Sequence, residues 1–146
     1  MNKILATGAI IVATIIPTFG SAELYQSKCF ACHQANGAGI PNVFPPLAGS
    51  EWVTGPSENL IRIQLRGLTG EITVKGKKYN SVMPPNAMMT DDDIASVLTY
   101  VRSNFGNKAD AVTPDQVKAL RGEIGKPMLT VKDLIDPNKA ADEKKK

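Results

Sequence analysis

At 146 residues, with 42% hydrophobic residues and a formal charge of +3, the chain has room for one domain with a modest core. The small basic excess comes without a cluster of basic residues interleaved with aromatics, which argues against a nucleic-acid partner. Two cysteines and one histidine fall short of the four Cys and His ligands of a structural zinc site.

Residues 1–22 read as a secretory signal peptide. Lys3 supplies the positive charge, Ile4 to Ile16 is apolar or small throughout, and Pro17 breaks the run ahead of Gly20-Ser21-Ala22, with cleavage expected after Ala22. The apolar run is short for a bilayer span, so no stable membrane insertion is expected. A periplasmic location follows, with the mature chain near residues 23–146.

Glu23 to Cys32 is predicted as a short helix that runs into Cys29-Phe30-Ala31-Cys32-His33. This Cys-x-x-Cys-His spacing is the attachment sequence of a c-type haem. Two thiols three residues apart lie on nearly one face of a helical turn, where they add across the two vinyl groups of one porphyrin edge. His33 then falls under the iron and offers the proximal nitrogen. A redox dithiol or a plain disulfide would use the same thiols, but either leaves His33 without a role. One covalent haem c, through Cys29 and Cys32, is therefore the expected cofactor.

Gln34 to Pro46 is loop, rich in Gly, Pro and Asn, and is expected to wrap the proximal side of the haem. A helix follows from Pro56-Ser57, with Ser57 as N-cap, Leu60, Ile61, Ile63 and Leu65 as its apolar side and Gly67 as terminator. Gly70 to Tyr79 changes period and predicts a small hairpin. Ser81 to Pro85 is extended, because each proline constrains the residue before it. A helix capped by Thr90 carries Ile94, Val97, Leu98, Val101 and Phe105 on one face and is expected to end at Gly106-Asn107. A shorter one starts at Thr113-Pro114 and runs to about Arg121. Residues 122–146 read as an extension, docked through Met128, Leu129, Val131, Leu134 and Ile135, with a disordered lysine-rich tip.

The sixth iron position has no second histidine to fill it. Methionine is the leading candidate, from Met83, Met88, Met89 and Met128. Met83 is preferred because Pro84 and Pro85 restrict its backbone to few conformers; Met88 or Met89 stand next. Trp52, Arg62 and Arg66 are candidates for the haem propionates. Tyr79 and Asn80 are candidates for bonds around the Met83 loop.

Over residues 23–121 the chain resembles a class I cytochrome c, a mostly helical fold wrapped around one covalent haem. The attachment motif, Pro45-Pro46-Leu47-Ala48-Gly49, Met83-Pro84 and the helix from Thr90 to Asn107 carry the likeness. The resemblance implies that the Pro45 carbonyl accepts the Nδ1–H of His33, that Leu47 packs on the ring, and that His33 and Met83 are the metal ligands. Leu68-Thr69-Gly70, Tyr79-Asn80 and Leu98 to Arg102 are most similar to periplasmic monohaem cytochromes that accompany quinoprotein dehydrogenases and copper nitrite reductases. Two features depart from the family: a first helix of about two turns, with Ser21 in place of a glycine eight positions before Cys29, and the extension after Arg121. The expected role is a one-electron carrier, not an enzyme, exchanging electrons with a dehydrogenase, reductase or oxidase as a monomer or a subunit. The alternatives are a dedicated subunit of an oxidoreductase complex, or a haem enzyme or gas sensor with an open sixth site. Lys75, Lys77 and Lys78 are expected to steer an acidic partner.

Overall fold

A computed structural model describes residues 20–139. Most of the expected signal peptide and the lysine-rich tip lie outside the described residues. Helix α1 spans Ser21–Lys28, so it begins ahead of the expected cut after Ala22. The Glu23 carboxylate accepts the Gly20 N–H at 2.9 Å and satisfies one of the donors left over at the helix start. The single helix expected over Glu23–Cys32 is broken: Cys29, at φ −121°, separates α1 from the one-turn α2, Phe30–His33.

A short helix α3, Glu51–Thr54, was not expected; α4 spans Ser57–Arg66 with Pro56, not Ser57, at the N-cap. Strands β1, Ile72–Val74, and β2, Lys77–Tyr79, form the hairpin, with Ile72 opposite Tyr79 and Val74 opposite Lys77. Helix α5 spans Asp91–Ser103 and is capped by Thr90, whose hydroxyl accepts the Asp93 N–H at 3.1 Å. It stops three residues before Gly106. Asn104 Nδ2 donates to the Tyr100 carbonyl at 2.8 Å, and Phe105 turns to φ +57°, which ends helical pairing. Helix α6 spans Pro114–Leu120 behind a Thr113/Gln116 capping box. The fold is mostly helical with one hairpin, as expected.

The apolar side chains gather in two clusters. One joins α1, α4, α5 and α6 through Leu24, Tyr25, Ile61, Leu65, Ile94, Val97 and Val117. At the crossing of α1 with the end of α5, Tyr25 packs on Phe105 and Tyr100, with centroids 5.1 and 5.6 Å away. The Tyr25 hydroxyl donates to the Gln34 carbonyl at 2.6 Å, and burial pushes its pKa up to about 12, so the hydroxyl stays a donor. The other cluster lies under the hairpin: Ile63, Leu68, Ile72, Val74, Tyr79 and Leu129.

Beyond Arg121 the chain runs back over α4 and the hairpin. Arg62 and Arg66 converge on Glu123 at 3.1 and 2.9 Å, and Arg66 forks onto the Pro127 carbonyl at 2.9 and 2.7 Å. Leu129 is fully buried, which contributes about 2 kcal/mol of apolar stabilisation. Asn59, buried on α4, exchanges two hydrogen bonds with the backbone of Ile135, at 2.7 and 2.9 Å.

Candidate haem site

The space between the two clusters is a cavity of two adjoining lobes. Cys29, His33, Pro45, Leu68, Ile72 and Met83 line both lobes. Val97, Leu98 and Val101 of α5 wall one side of the first lobe, and Ile63, Leu68, Ile72 and Val74 face them. Cys32 and Tyr79 line the second. Cys29 is buried and Cys32 half-buried.

The motif is positioned by its own backbone. The Cys29 carbonyl accepts from Cys32 N (3.3 Å) and His33 N (2.9 Å), which closes the turn and sets both thiols and the imidazole toward one lobe. His33 Nδ1 lies 3.0 Å from the Pro45 carbonyl oxygen. A carbonyl only accepts, so Nδ1 carries the hydrogen and Nε2 keeps its lone pair. Burial pulls the His33 pKa below its ordinary value against the opposing pull of the Pro45 bond, so the ring is neutral at pH 7. A neutral imidazole with a free Nε2, two thiols beside it and apolar walls around it are what a covalently held haem requires. The residues present fit the group.

The loop from Gln34 to Pro46 folds back on His33. Gly39 N donates to the His33 carbonyl at 3.0 Å, and Leu47 N and Ala48 N both donate to the Gly37 carbonyl, at 2.7 and 3.0 Å. Leu47 lines the first lobe. Gly39 sits at φ +68°, and a methyl group there would lie 2.3 Å from Phe44 O and 2.6 Å from Pro45 O. Only glycine brings the backbone this close to the carbonyl that holds His33.

Met83 lines both lobes. Met88 is 99% exposed and Met89 is packed in the helical cluster; neither lines either lobe, and nor does Met128. An open groove beside α1 takes in Met88 and Met89 but neither cysteine and not His33.

Several expected polar roles are reassigned. Arg62 and Arg66 line neither lobe; their guanidinium groups are spent on Glu123 and on the Asp133 and Pro127 carbonyls. Trp52 lines the first lobe, but its indole N–H donates to the Thr73 carbonyl at 2.8 Å and secures β1. Asn80 is exposed and lines neither lobe. Lys78 pairs with Glu71 at 2.9 Å and Lys75 Nζ reaches the Ala48 carbonyl, leaving Lys77 as the freest of the three lysines.

Two residues support the site in ways the sequence reading did not assign to them. Asn107, read there as a helix terminator, is buried and ties the proximal loop to α5, accepting from Gly49 N (2.8 Å) and donating to the Leu47 and Val101 carbonyls (3.0 and 2.8 Å). Arg102, buried on α5, donates to the carbonyls of Val53, Gly55 and Asp110 at 2.7, 2.9 and 2.7 Å and fixes α3 beside the cavity.

Comparison with known proteins agrees with this geometry. The profile of the family described as Cytochrome c matches residues 21–105. The chain is 35% identical to a cytochrome c-552 of Thermus thermophilus, over 86% of this chain and 99% of that protein. A second cytochrome c-552 from Thermus thermophilus is 40% identical over 71% of this chain and 95% of its own length. The fructose dehydrogenase cytochrome subunit of Gluconobacter japonicus is 32% identical over 75% of this chain, which spans 23% of that subunit.

Proposed function

This chain belongs to the cytochrome c family, with covalently bound haem c and the role of an electron carrier, and we propose that it works as an exported one-electron carrier whose iron is held between His33 and Met83. The observation that carries the ligand assignment is the cavity itself: His33 and Met83 line both lobes, and Met88, Met89 and Met128 line neither. When bound, the haem supplies a reversible ferric/ferrous couple.

The chain's own residues set how that couple is used. Cys29 and Cys32 tether one edge, so the cofactor is kept without relying on affinity. His33 presents Nε2 because Pro45 holds its other nitrogen. The Met83 thioether would serve as the second ligand to the iron, would leave no vacant site for a substrate, and would favour the reduced state relative to a second nitrogen ligand. The apolar walls from α5 and the hairpin act in the same direction, because a low-dielectric surround disfavours the extra positive charge of the oxidised state.

Residues 1–22 supply the export signal, and the site of action is the periplasm. Among the described residues no helix is long and apolar enough to cross a membrane. The partner is a redox protein (a dehydrogenase, a reductase or an oxidase) met in a weak, transient encounter. Likeness to cytochrome subunits of quinone-dependent alcohol dehydrogenases, 32% identical in Gluconacetobacter polyoxogenes, favours a second reading: a dedicated electron-transfer subunit of such a complex. Isolation of the native protein separates the two, since a dedicated subunit co-purifies with its enzyme and a free carrier does not.

The test of the ligand assignment is spectroscopic. The ferric protein is expected to show the weak sulfur-to-iron charge-transfer band at the red end of the spectrum. Met83→Ala should abolish it, lower the potential and admit carbon monoxide to the ferrous protein; Met88→Ala and Met89→Ala should leave it intact. A band that survives Met83→Ala overturns the assignment, and ready carbon monoxide binding by the wild type would favour an enzyme or sensor with an open sixth site.

A further inference from the structure

The family match ends at residue 105, but the loop that carries Met83 is held in part from beyond it. Met83 exchanges two backbone hydrogen bonds with Leu68, both 2.9 Å. On its other side the Gly67–Thr69 segment pairs in parallel with Leu129: Thr69 N donates to Leu129 O at 2.8 Å and Leu129 N to Gly67 O at 3.1 Å. Leu68 is therefore the middle of three extended segments, with the ligand loop on one side and the extension on the other. Further along the loop, Asn86 is bonded to Gln64 through backbone (2.7 Å) and side chain (2.9 Å). Arg121 closes the loop's far end. Its Nη1 donates to Ala87 O at 2.8 Å, its Nη2 to Met89 O at 2.5 Å, and its Nε to Asp91 Oδ1 at 2.6 Å.

We propose that Arg121 and Leu129 are positioning residues for the distal ligand, bracing the 83–89 loop from both ends so that the Met83 thioether stays turned toward His33. This rests on the His33–Met83 reading above. The chemistry of Arg121 suits the task. A planar guanidinium meets two carbonyls and a carboxylate at once, which a lysine's point charge does not. Its three bonds all end on the loop or on the first residue of α5, whereas α6 is docked by Val117, fully buried in the helical cluster. Docking of α6 and bracing of the loop thus fall to different side chains and are separable by mutation.

Imidazole titration of the ferric holoprotein measures the brace, because imidazole binds only where the loop has swung open and surrendered the sulfur; its apparent affinity therefore includes the cost of opening. Arg121→Ala should tighten imidazole binding roughly tenfold and Leu129→Ala by a smaller factor, with faster hydrogen exchange at the amides of Ala87 to Met89. Val117→Ala destabilises the same helix by creating a cavity, yet should leave imidazole affinity within about twofold of wild type. The proposal is overturned if Arg121→Ala leaves the affinity unmoved, or if Val117→Ala shifts it as far. Loss of the sulfur band in Met83→Ala with unmoved affinity in Arg121→Ala removes the brace alone; a band that survives Met83→Ala removes the ligand reading and the brace together.

Discussion

The two sides of the haem cavity are built in different ways. On the proximal side the bonds are short in sequence: Cys29 to His33, His33 to Gly39, Gly37 to Leu47 and His33 to Pro45 all fall within residues 29–48. On the distal side, Met83 is paired with Leu68, and its loop is held by Gln64, Arg121 and, through Leu68, Leu129. A short closed loop costs little entropy to order and is nearly self-sufficient. The distal loop depends on segments that the chain must first bring together, so it is the side that opens first when those segments loosen. The difference teaches that two walls of one cavity differ in how far they depend on the rest of the fold.

The largest break in the comparison comes from the proximal thiols. In Cys29→Ser/Cys32→Ser the haem is expected to extract fully into acid–acetone, whereas the wild type should retain it at a mass of polypeptide plus one haem.

Next in size are the two glycines that let backbone pass close to the Pro45 and Met83 carbonyls. Gly39→Ala forces a methyl group to 2.3 Å from Phe44 O at a left-handed φ, and should cost about 3 kcal/mol by denaturant unfolding while displacing the Pro45 carbonyl from His33. Gly67→Ala, at φ +75° and 2.7 Å from Met83 O, should cost a similar amount but appear in the sulfur band instead of in imidazole orientation. If both variants disturb the same ligand, the two sides are not independent.

Asn107→Ala takes the side-chain acceptor from the Gly49 N–H and one donor each from the Leu47 and Val101 carbonyls, and should lower stability by about 2 kcal/mol, with the sulfur band unchanged. It tests whether the proximal loop needs α5 beyond its own bonds.

The smallest effect is a pH response of the extension. Burial acts against the charge on Glu123, but hydrogen bonds from Arg66 and Arg62 outweigh it and hold the carboxyl below its usual range. A depressed carboxylate stabilises docking fully above its unfolded pKa and loses that contribution as pH falls through its folded value. Hydrogen exchange over residues 125–135 should therefore quicken in acid before the proximal side does, and Glu123→Gln should remove that step. An extension equally protected on both sides of the transition would show that the arginines play no part in latching it.

Much of this was legible in the residues alone, for reasons that can be named. Cys29, Cys32 and His33 lie within five positions, and one helical turn places them without help from the rest of the chain. The hairpin and α5 follow from alternation and from a 3.6-residue apolar period, both local signals. Boundaries were less readable: α1 breaks at Cys29 and α5 stops at Ser103 because of single backbone torsions and an Asn104 side-chain bond. Arg62 and Arg66 show the limit most clearly. A fork of arginines suits a propionate and suits Glu123 with two carbonyls equally well, and only the path of the chain after Arg121 selects between them. Sequence by itself determined the attachment motif and the position of His33 beside it, since covalent spacing and one turn of backbone suffice for them. Tertiary structure decided which methionine lines the cavity, what Asn107 and Arg102 hold, and what packs against the Met83 loop, because most of these contacts join residues 15 to 62 positions apart and no local pattern encodes such a meeting.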